Sequence, residues 1–190
     1  MNSLARDRRR ALYSFLFLFA VNLSSSLICP SLSLYLVPFL LIALPFFLQR
    51  PLPMKFSFRD IFLGLGVSFT VLHPFSIIAM MTGRVFLLSS LAVLIRQLFL
   101  VAFPEETFFR GFLQESFGNN RKGLIATSIL FAVAHIPISL IIGNWFALLT
   151  FFPSLVMGWL YMRTRNTLPS TIFHFLANIV FIGFGGMLSL

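Results

Sequence analysis

Charge is scarce in this chain. Only five of its 190 residues are acidic (Asp7, Asp60, Glu105, Glu106 and Glu115), and charged residues of both signs make up 10%, against about a quarter in an ordinary soluble domain. With 58% hydrophobic residues, 26 of them phenylalanine, and a mean hydropathy of +0.96, a water-soluble globule is excluded. The single cysteine, Cys29, excludes an internal disulfide and any cysteine metal cluster. Neither a glycine-rich phosphate loop nor an HExxH zinc helix is present. The apolar runs are continuous rather than alternating, which excludes a β-barrel. A net charge of +9 would suggest nucleic acid in a soluble protein. Here most of it lies in short segments between apolar runs, where basic residues set orientation instead. The lipid bilayer, and no nucleic acid, is the expected surrounding partner.

What is there is a series of long apolar runs. A helix needs about 20 apolar residues to cross a bilayer, and seven candidate spans are visible: 11–29, 31–48, 61–82, 85–103, 123–142, 144–162 and 168–188. The expectation is an all-α, polytopic membrane bundle of about seven transmembrane helices, forming one domain over 1–190. Pro30 bounds the first span and Gln49-Arg50-Pro51 the second; the third follows Arg59-Asp60. Arg6 to Arg10 followed by an apolar run resembles the start of a signal peptide. No small-x-small cleavage site precedes the next span, so a retained anchor is expected.

Basic residues fix the expected orientation. Arg6, Arg8, Arg9, Arg10, Arg50, Lys55, Arg59, Arg121, Lys122, Arg163 and Arg165 fall on one side of the spans, and the turns on the other side hold only Arg84. Such asymmetry in short loops places the N-terminus in the cytoplasm, in a multi-pass protein of a bacterial plasma membrane.

The stretch 104–117 stands apart. Pro104 can open a helix, because its missing N–H would be unpaired in a first turn. Glu105 and Glu106 then lie where the helix dipole favours negative charge. At about 1.5 Å per residue this piece reaches roughly 21 Å, too short to span alone. It either continues the preceding span or dips in from the cytoplasmic side.

Charged side chains at mid-bilayer cost about 2.5–3.5 kcal/mol each and usually face the bundle interior. Glu106 and Arg110, four apart, share a helix face and can pair; most simply that is a structural ion pair. Glu105 lies about 100° around the helix and is left available as a general base. The three histidines, His73, His135 and His174, all fall in predicted spans. His135 would sit about 18 Å into its helix and His174 nearer the start of the last one, so tilt or a shifted helix start must reconcile their depths. His174 and Asn178 share a helix face. Each has a plain alternative: an intramembrane histidine or asparagine often only bonds a neighbouring helix, and His73, followed by Pro74, is read that way. Arg96 and Gln97 are expected to pair internally or to snorkel.

In order, Glu105-Glu106-xxx-Arg110, Phe131-xxx-His135 and His174-xxx-Asn178 resemble the three signature motifs of the CPBP family, the CAAX proteases and bacteriocin-processing enzymes, also called Abi proteins. Each motif alone is weak. Three in order on successive apolar segments are specific, and they cover about 90–180. The first part, 1–84, carries no motif; 85–190 is the expected motif-bearing catalytic core. The resemblance implies an intramembrane endopeptidase with a polar cavity open to the cytoplasm, acting on a membrane-associated peptide or protein. Glu105 would activate a water that His135 helps to hold. Glu106 and Arg110 would fix the geometry, and His174 and Asn178 would stabilise the oxyanion. These roles agree with the chemistry of a carboxylate base near an imidazole and of donors aimed at developing charge.

Members of the family have been described as metalloproteases, and Glu105, His135 and His174 could supply three zinc ligands. Two adjacent carboxylates with Asn178 also suit a glutamate-activated water, and the metal-free reading is the one taken here, with no cofactor. Two non-proteolytic readings compete. Buried Glu, His and Arg also line transporters and proton relays, but no inverted repeat is visible. A bacteriocin immunity or scaffold protein would not need the full set of polar positions.

Overall fold

The computed structural model describes residues 3–48 and 53–185, and among them all regular structure is helical. The Gln49-Arg50-Pro51 turn and residues 186–188 of the last expected span lie outside the described residues. The helices are α1 (Ser3–Ile28), α2 (Pro30–Phe47), α3 (Phe58–Met81), α4 (residues 91–117), α5 (Arg121–Val133), α6 (Ile136–Ile142), α7 (Phe151–Thr164) and α8 (Thr167–Gly183). By length and composition five stretches can cross a membrane: Asp7–Ile28, Pro30–Phe47, Phe58–Met81, Arg121–Ile142 and Trp145–Thr164. Helix α8 is a shorter apolar helix, and α4 carries the charged motif. Each of the seven expected segments overlaps a helix, five of them long and apolar enough to cross a membrane, and the protein is an all-α membrane bundle.

Several boundaries differ from the expectation, each for a local reason. The Ser57 hydroxyl accepts from the Asp60 N–H, so α3 begins at Phe58 and takes Arg59 and Asp60 into its first turn. Residues 85–90 are not helical. They lie along the end of α8, where the Leu87 N–H donates to the Gly183 carbonyl at 2.8 Å, and Ser90 then caps α4. The sixth span opens with a 3₁₀ stretch, Trp145–Thr150, before α7. The fifth breaks at His135: Pro137 has no N–H for a continuing helix, and its ring would clash with the carbonyl of Val133. His135 takes φ −90° and ψ −2° at this break, in the sparsely populated bridge region that active-site residues often occupy.

The stretch 104–117 continues the preceding span. Helix α4 runs unbroken from Leu91 to Phe117, through two π-helical segments, Gln97–Ala102 and Thr107–Gln114, that flank Phe103–Glu106. Every residue from Glu106 to Gln114 is buried. Helix α4 is thus the central post of the bundle, and the core forms on it: Phe108, Phe109, Phe112 and Leu113 pack with Phe15 and Leu18 of α1, Phe131 of α5, Met157 and Leu160 of α7 and Phe173 of α8. The outward faces are apolar as well; Phe39, Phe47, Phe62, Phe69 and Phe152 are all exposed. In water such a surface would be an aggregation site; in a bilayer it faces lipid.

Asn166, 1% exposed, caps α8, and its amide also donates to the Lys55 carbonyl at 2.7 Å and to Asp60 at 2.9 Å. Helix α5, in contrast, begins at the exposed Arg121 and Lys122. Two glycines allow close approaches nearby. A Cβ on Gly64 would lie 2.9 Å from the Pro169 backbone, and one on Gly111 would lie 2.9 Å from the Pro53 ring.

Candidate active site

Glu106 sits at the centre of the buried polar cluster. Arg110 Nε–H donates to its Oε2 at 3.2 Å, and both side chains are 0% exposed, so the pairing that the four-residue spacing predicts is present. The other oxygen, Oε1, lies 3.1 Å from His174 Nδ1. Arg110 is fixed further: one Nη2–H donates to Ser154 Oγ of α7 at 2.9 Å. Its guanidinium lies over the Phe131 ring, Cζ to centroid 5.3 Å, a favourable placement for a desolvated cation.

The Phe131 ring joins the three motifs. Besides Arg110 it meets His174 edge-on at 5.7 Å and His135 at 5.0 Å between centroids, and it packs edge-on to Phe109 at 4.9 Å. Phe131 also orients His135 through its backbone. His135 Nδ1 lies 2.8 Å from the Phe131 carbonyl oxygen, which can only accept. Nδ1 therefore carries the proton and, in the neutral ring, Nε2 is left as an acceptor.

Glu105 differs from its neighbour in the chain. Its Oε2 is buried without a hydrogen-bond partner among the described residues, 3.8 Å from His174 Nε2. A buried carboxylate oxygen of this kind is expensive to leave unmade. Glu105 and His135 border two cavities. The smaller, about 220 Å³, lies against α1 and α2 with Asn22 and Ser33 in its wall. The larger, about 570 Å³, is bounded by α3, α6, α7, α8 and the 3₁₀ stretch, and His174 and Asn178 also line it. Its remaining wall is largely apolar, with Leu72, Phe146, Phe152, Val156 and Phe181 among its residues.

All six sequence-nominated residues, Glu105, Glu106, Arg110, His135, His174 and Asn178, thus gather around one region where α4, α8 and the α5–α6 break meet. His73 does not join them: it is exposed on α3 and stacks on Phe69 at 5.0 Å. Arg96 is exposed, whereas Gln97 is buried and accepts from Asn178 Nδ2 at 3.1 Å. Two contacts were not foreseen. Ser154 is a lone serine in an apolar run, with nothing in its spacing to signal Arg110. The tie between Glu106 and His174 bridges 68 residues of chain.

Three side chains in this cluster could be asked to hold zinc: Glu105, His135 and His174. Among the described residues no three His, Cys, Asp or Glu side chains form a group that could hold a metal ion. His174 has its Nδ1 engaged by Glu106 and His135 its Nδ1 by a carbonyl, and each keeps its Nε2. As they stand the three side chains are not gathered into a ligand set, and no step below runs through a metal.

Fold and site together define a polytopic helical membrane protein with a buried carboxylate, histidine and arginine centre opening onto an apolar cavity. The family model described as type II CAAX prenyl endopeptidase Rce1-like matches residues 87–180. All three motifs fall within the matched residues, which is consistent with the CPBP relationship read from them. The chain is also similar to the UPF0177 protein YxdF of Lactococcus lactis subsp. lactis (strain IL1403), at 30% identity over 108 residues, covering 55% of this chain. The match takes in 56% of that relative, so the chain spans little more than half its length. No solved structure matches the chain.

Proposed function

We propose that this chain is an intramembrane endopeptidase in which Glu105 activates a water for attack on a peptide carbonyl without a metal ion. The observation that carries the reading is the Glu105 carboxylate: partly exposed, with a buried Oε2 that lacks a hydrogen-bond partner among the described residues, and set in a wall common to both cavities, within a region that matches a protease family.

In this reading the water oxygen bonds to the carbonyl carbon while one water proton passes to Glu105. His135 Nε2 accepts the other water hydrogen and holds the nucleophile in line. The carbonyl electron pair moves onto its oxygen, and N–H groups of His174 and Asn178 receive the resulting oxyanion. Collapse re-forms the C=O bond and breaks the C–N bond. The nitrogen keeps the electron pair and takes the proton from Glu105, leaving as an amine. With Nδ1–H held by the Glu106 carboxylate, His174 donates through Nε2 as an imidazolium. Two carboxylates and two cations, Glu105, Glu106, Arg110 and His174, then balance before reaction. The proton transfer moves one negative charge from Glu105 to the oxyanion without creating a new buried charge. A single donor to such an oxyanion is worth about 10²–10³ in rate.

The substrate is a membrane-associated peptide or protein, whose apolar portion suits the larger cavity. The exposed Arg8–Arg10, Arg121, Lys122 and Arg163 lie at the bundle end where α1, α3, α5 and α8 begin. We place that end in the cytoplasm of a bacterial plasma membrane.

The test uses the purified full chain in lipid nanodiscs with two peptides, one farnesylated and ending in cysteine plus three apolar residues, the other an unmodified leader-type peptide. Mass spectrometry should find cleavage of at least one at a single bond, abolished in Glu105→Gln. Absence of cleavage of both, or equal cleavage by Glu105→Gln, overturns the reading.

A further inference from the structure

Gln97 takes no part in the steps above, yet it is placed where it can govern one of them. It lies in an apolar helix, is 8% exposed while its neighbours Arg96 and Phe99 are exposed, and its oxygen accepts from Asn178 Nδ2 at 3.1 Å. A primary amide in such a setting is costly to leave unpaired, and this contact pairs it. Asn178 lines the larger cavity beside His174; Gln97 lines neither cavity. It therefore stands directly behind Asn178, away from anything bound.

The orientation of that contact is informative. The Asn178 side chain can turn about its last bond and present either its oxygen or its NH₂ group to the cavity. Only the NH₂ group can receive an oxyanion. Because Gln97 offers an oxygen, it draws Asn178 Nδ2 toward itself and uses one N–H. The second N–H remains on the same nitrogen. A π-helical segment begins at Gln97 and ends two residues before Pro104. In a regular α-helix Gln97 and Glu105 would be about 80° apart around the axis. The wider i→i+5 turn between them rotates less per residue and brings both toward α8, where Gln97 meets Asn178 and Glu105 meets His174.

We infer that Gln97 is a positioning residue for the hydrolysis, fixing the Asn178 amide so that its nitrogen serves the oxyanion. This role rests on the endopeptidase reading. Removing the Gln97 oxygen leaves Asn178 in place but free to turn, so the loss falls on the chemical step and not on substrate binding.

The experiment is a double-mutant cycle on whichever of the two peptides is cleaved faster, with Gln97→Leu, Gln97→Glu, Asn178→Ala and the Gln97→Leu/Asn178→Ala pair, in nanodiscs. Gln97→Leu should lower kcat about tenfold, a fraction of the 10²–10³ for losing a donor outright, with KM within about twofold. Gln97→Glu keeps an oxygen at the same place and should recover most of kcat. In the Asn178→Ala background, Gln97→Leu should cost less than about twofold, since nothing remains to orient. An undiminished kcat in Gln97→Leu, or an equal loss with and without Asn178, overturns the role. So does a Gln97→Glu variant as slow as Gln97→Leu. Glu105→Gln run alongside separates the two levels: if it cleaves as wild type does, the Glu105-based reading has failed, and the Gln97 role that rests on it falls too. If it is dead while the cycle shows no coupling, only the Gln97 inference falls.

Discussion

His174 Nδ1 and Arg110 Nε sit on opposite oxygens of one carboxylate, at 3.1 Å and 3.2 Å from Oε1 and Oε2 of Glu106. Glu106 thereby links the catalytic histidine proposed on α8 to the cation of its own helix. The first motif is built around this carboxylate as much as around Glu105.

Glu106→Gln should be the most damaging single change in the cluster. It strands Arg110, fully buried, with no paired carboxylate, and it removes the anion that supports a protonated His174. Breaking a buried pair from one side typically costs about 3–5 kcal/mol. Thermal unfolding in detergent should show a large fall, and peptide cleavage should be lost with it.

Arg110→Met should lower stability less, because Glu106 keeps His174 as a partner. Combining it with Glu106→Gln should recover much of the stability lost in the Glu106→Gln single variant, since no stranded cation remains. Activity should not return, because His174 has then lost the carboxylate that orients it. A double variant as active as wild type would reduce Glu106 to scaffolding.

Glu105→Ala and His135→Ala should abolish cleavage by at least about 10²-fold, in the range for a lost general base, while the protein stays in the membrane. His73→Ala should leave kcat/KM within about twofold, because His73 faces outward on α3 and touches only Phe69 among aromatic rings. Comparing the three variants at equal membrane abundance checks both statements.

A metal-free mechanism predicts indifference to chelation. Prolonged dialysis against a strong zinc chelator should leave the cleavage rate within about twofold, and atomic emission should find no stoichiometric zinc in active protein. Loss of activity that is restored by zinc alone would show a metal requirement and overturn the metal-free reading.

The basic end of the bundle predicts topology. Reporter fusions after residues 56 and 121 should both read cytoplasmic, and a fusion at the C-terminus should read outside. An outside signal at 121 would reverse the orientation and place the basic end away from the cytoplasm.

Much of this was legible because a bilayer leaves a sequence little freedom. Apolar runs of spanning length have to be helices when no water can satisfy their backbone groups, so the all-α bundle and its seven segments follow from composition and run length. The rarity of polar groups then exposed the site: Glu105, Glu106, Arg110, His135, His174 and Asn178 stood out because each is costly in that medium. Spacing within one helix was also sufficient to pair Glu106 with Arg110. What tertiary structure alone decided are the contacts between helices. That α4 runs on through 104–117 depends on a partner surface all round, since residues 106–114 are buried on every side. The tie of Glu106 to His174, of Arg110 to Ser154 and of Asn178 to Gln97 joins residues 44 to 81 positions apart. A local pattern sees one helix at a time. Which side chain meets which across a bundle is set by the rotation and depth of each helix, and those are fixed by packing, as the buried Asn166 fixes α8.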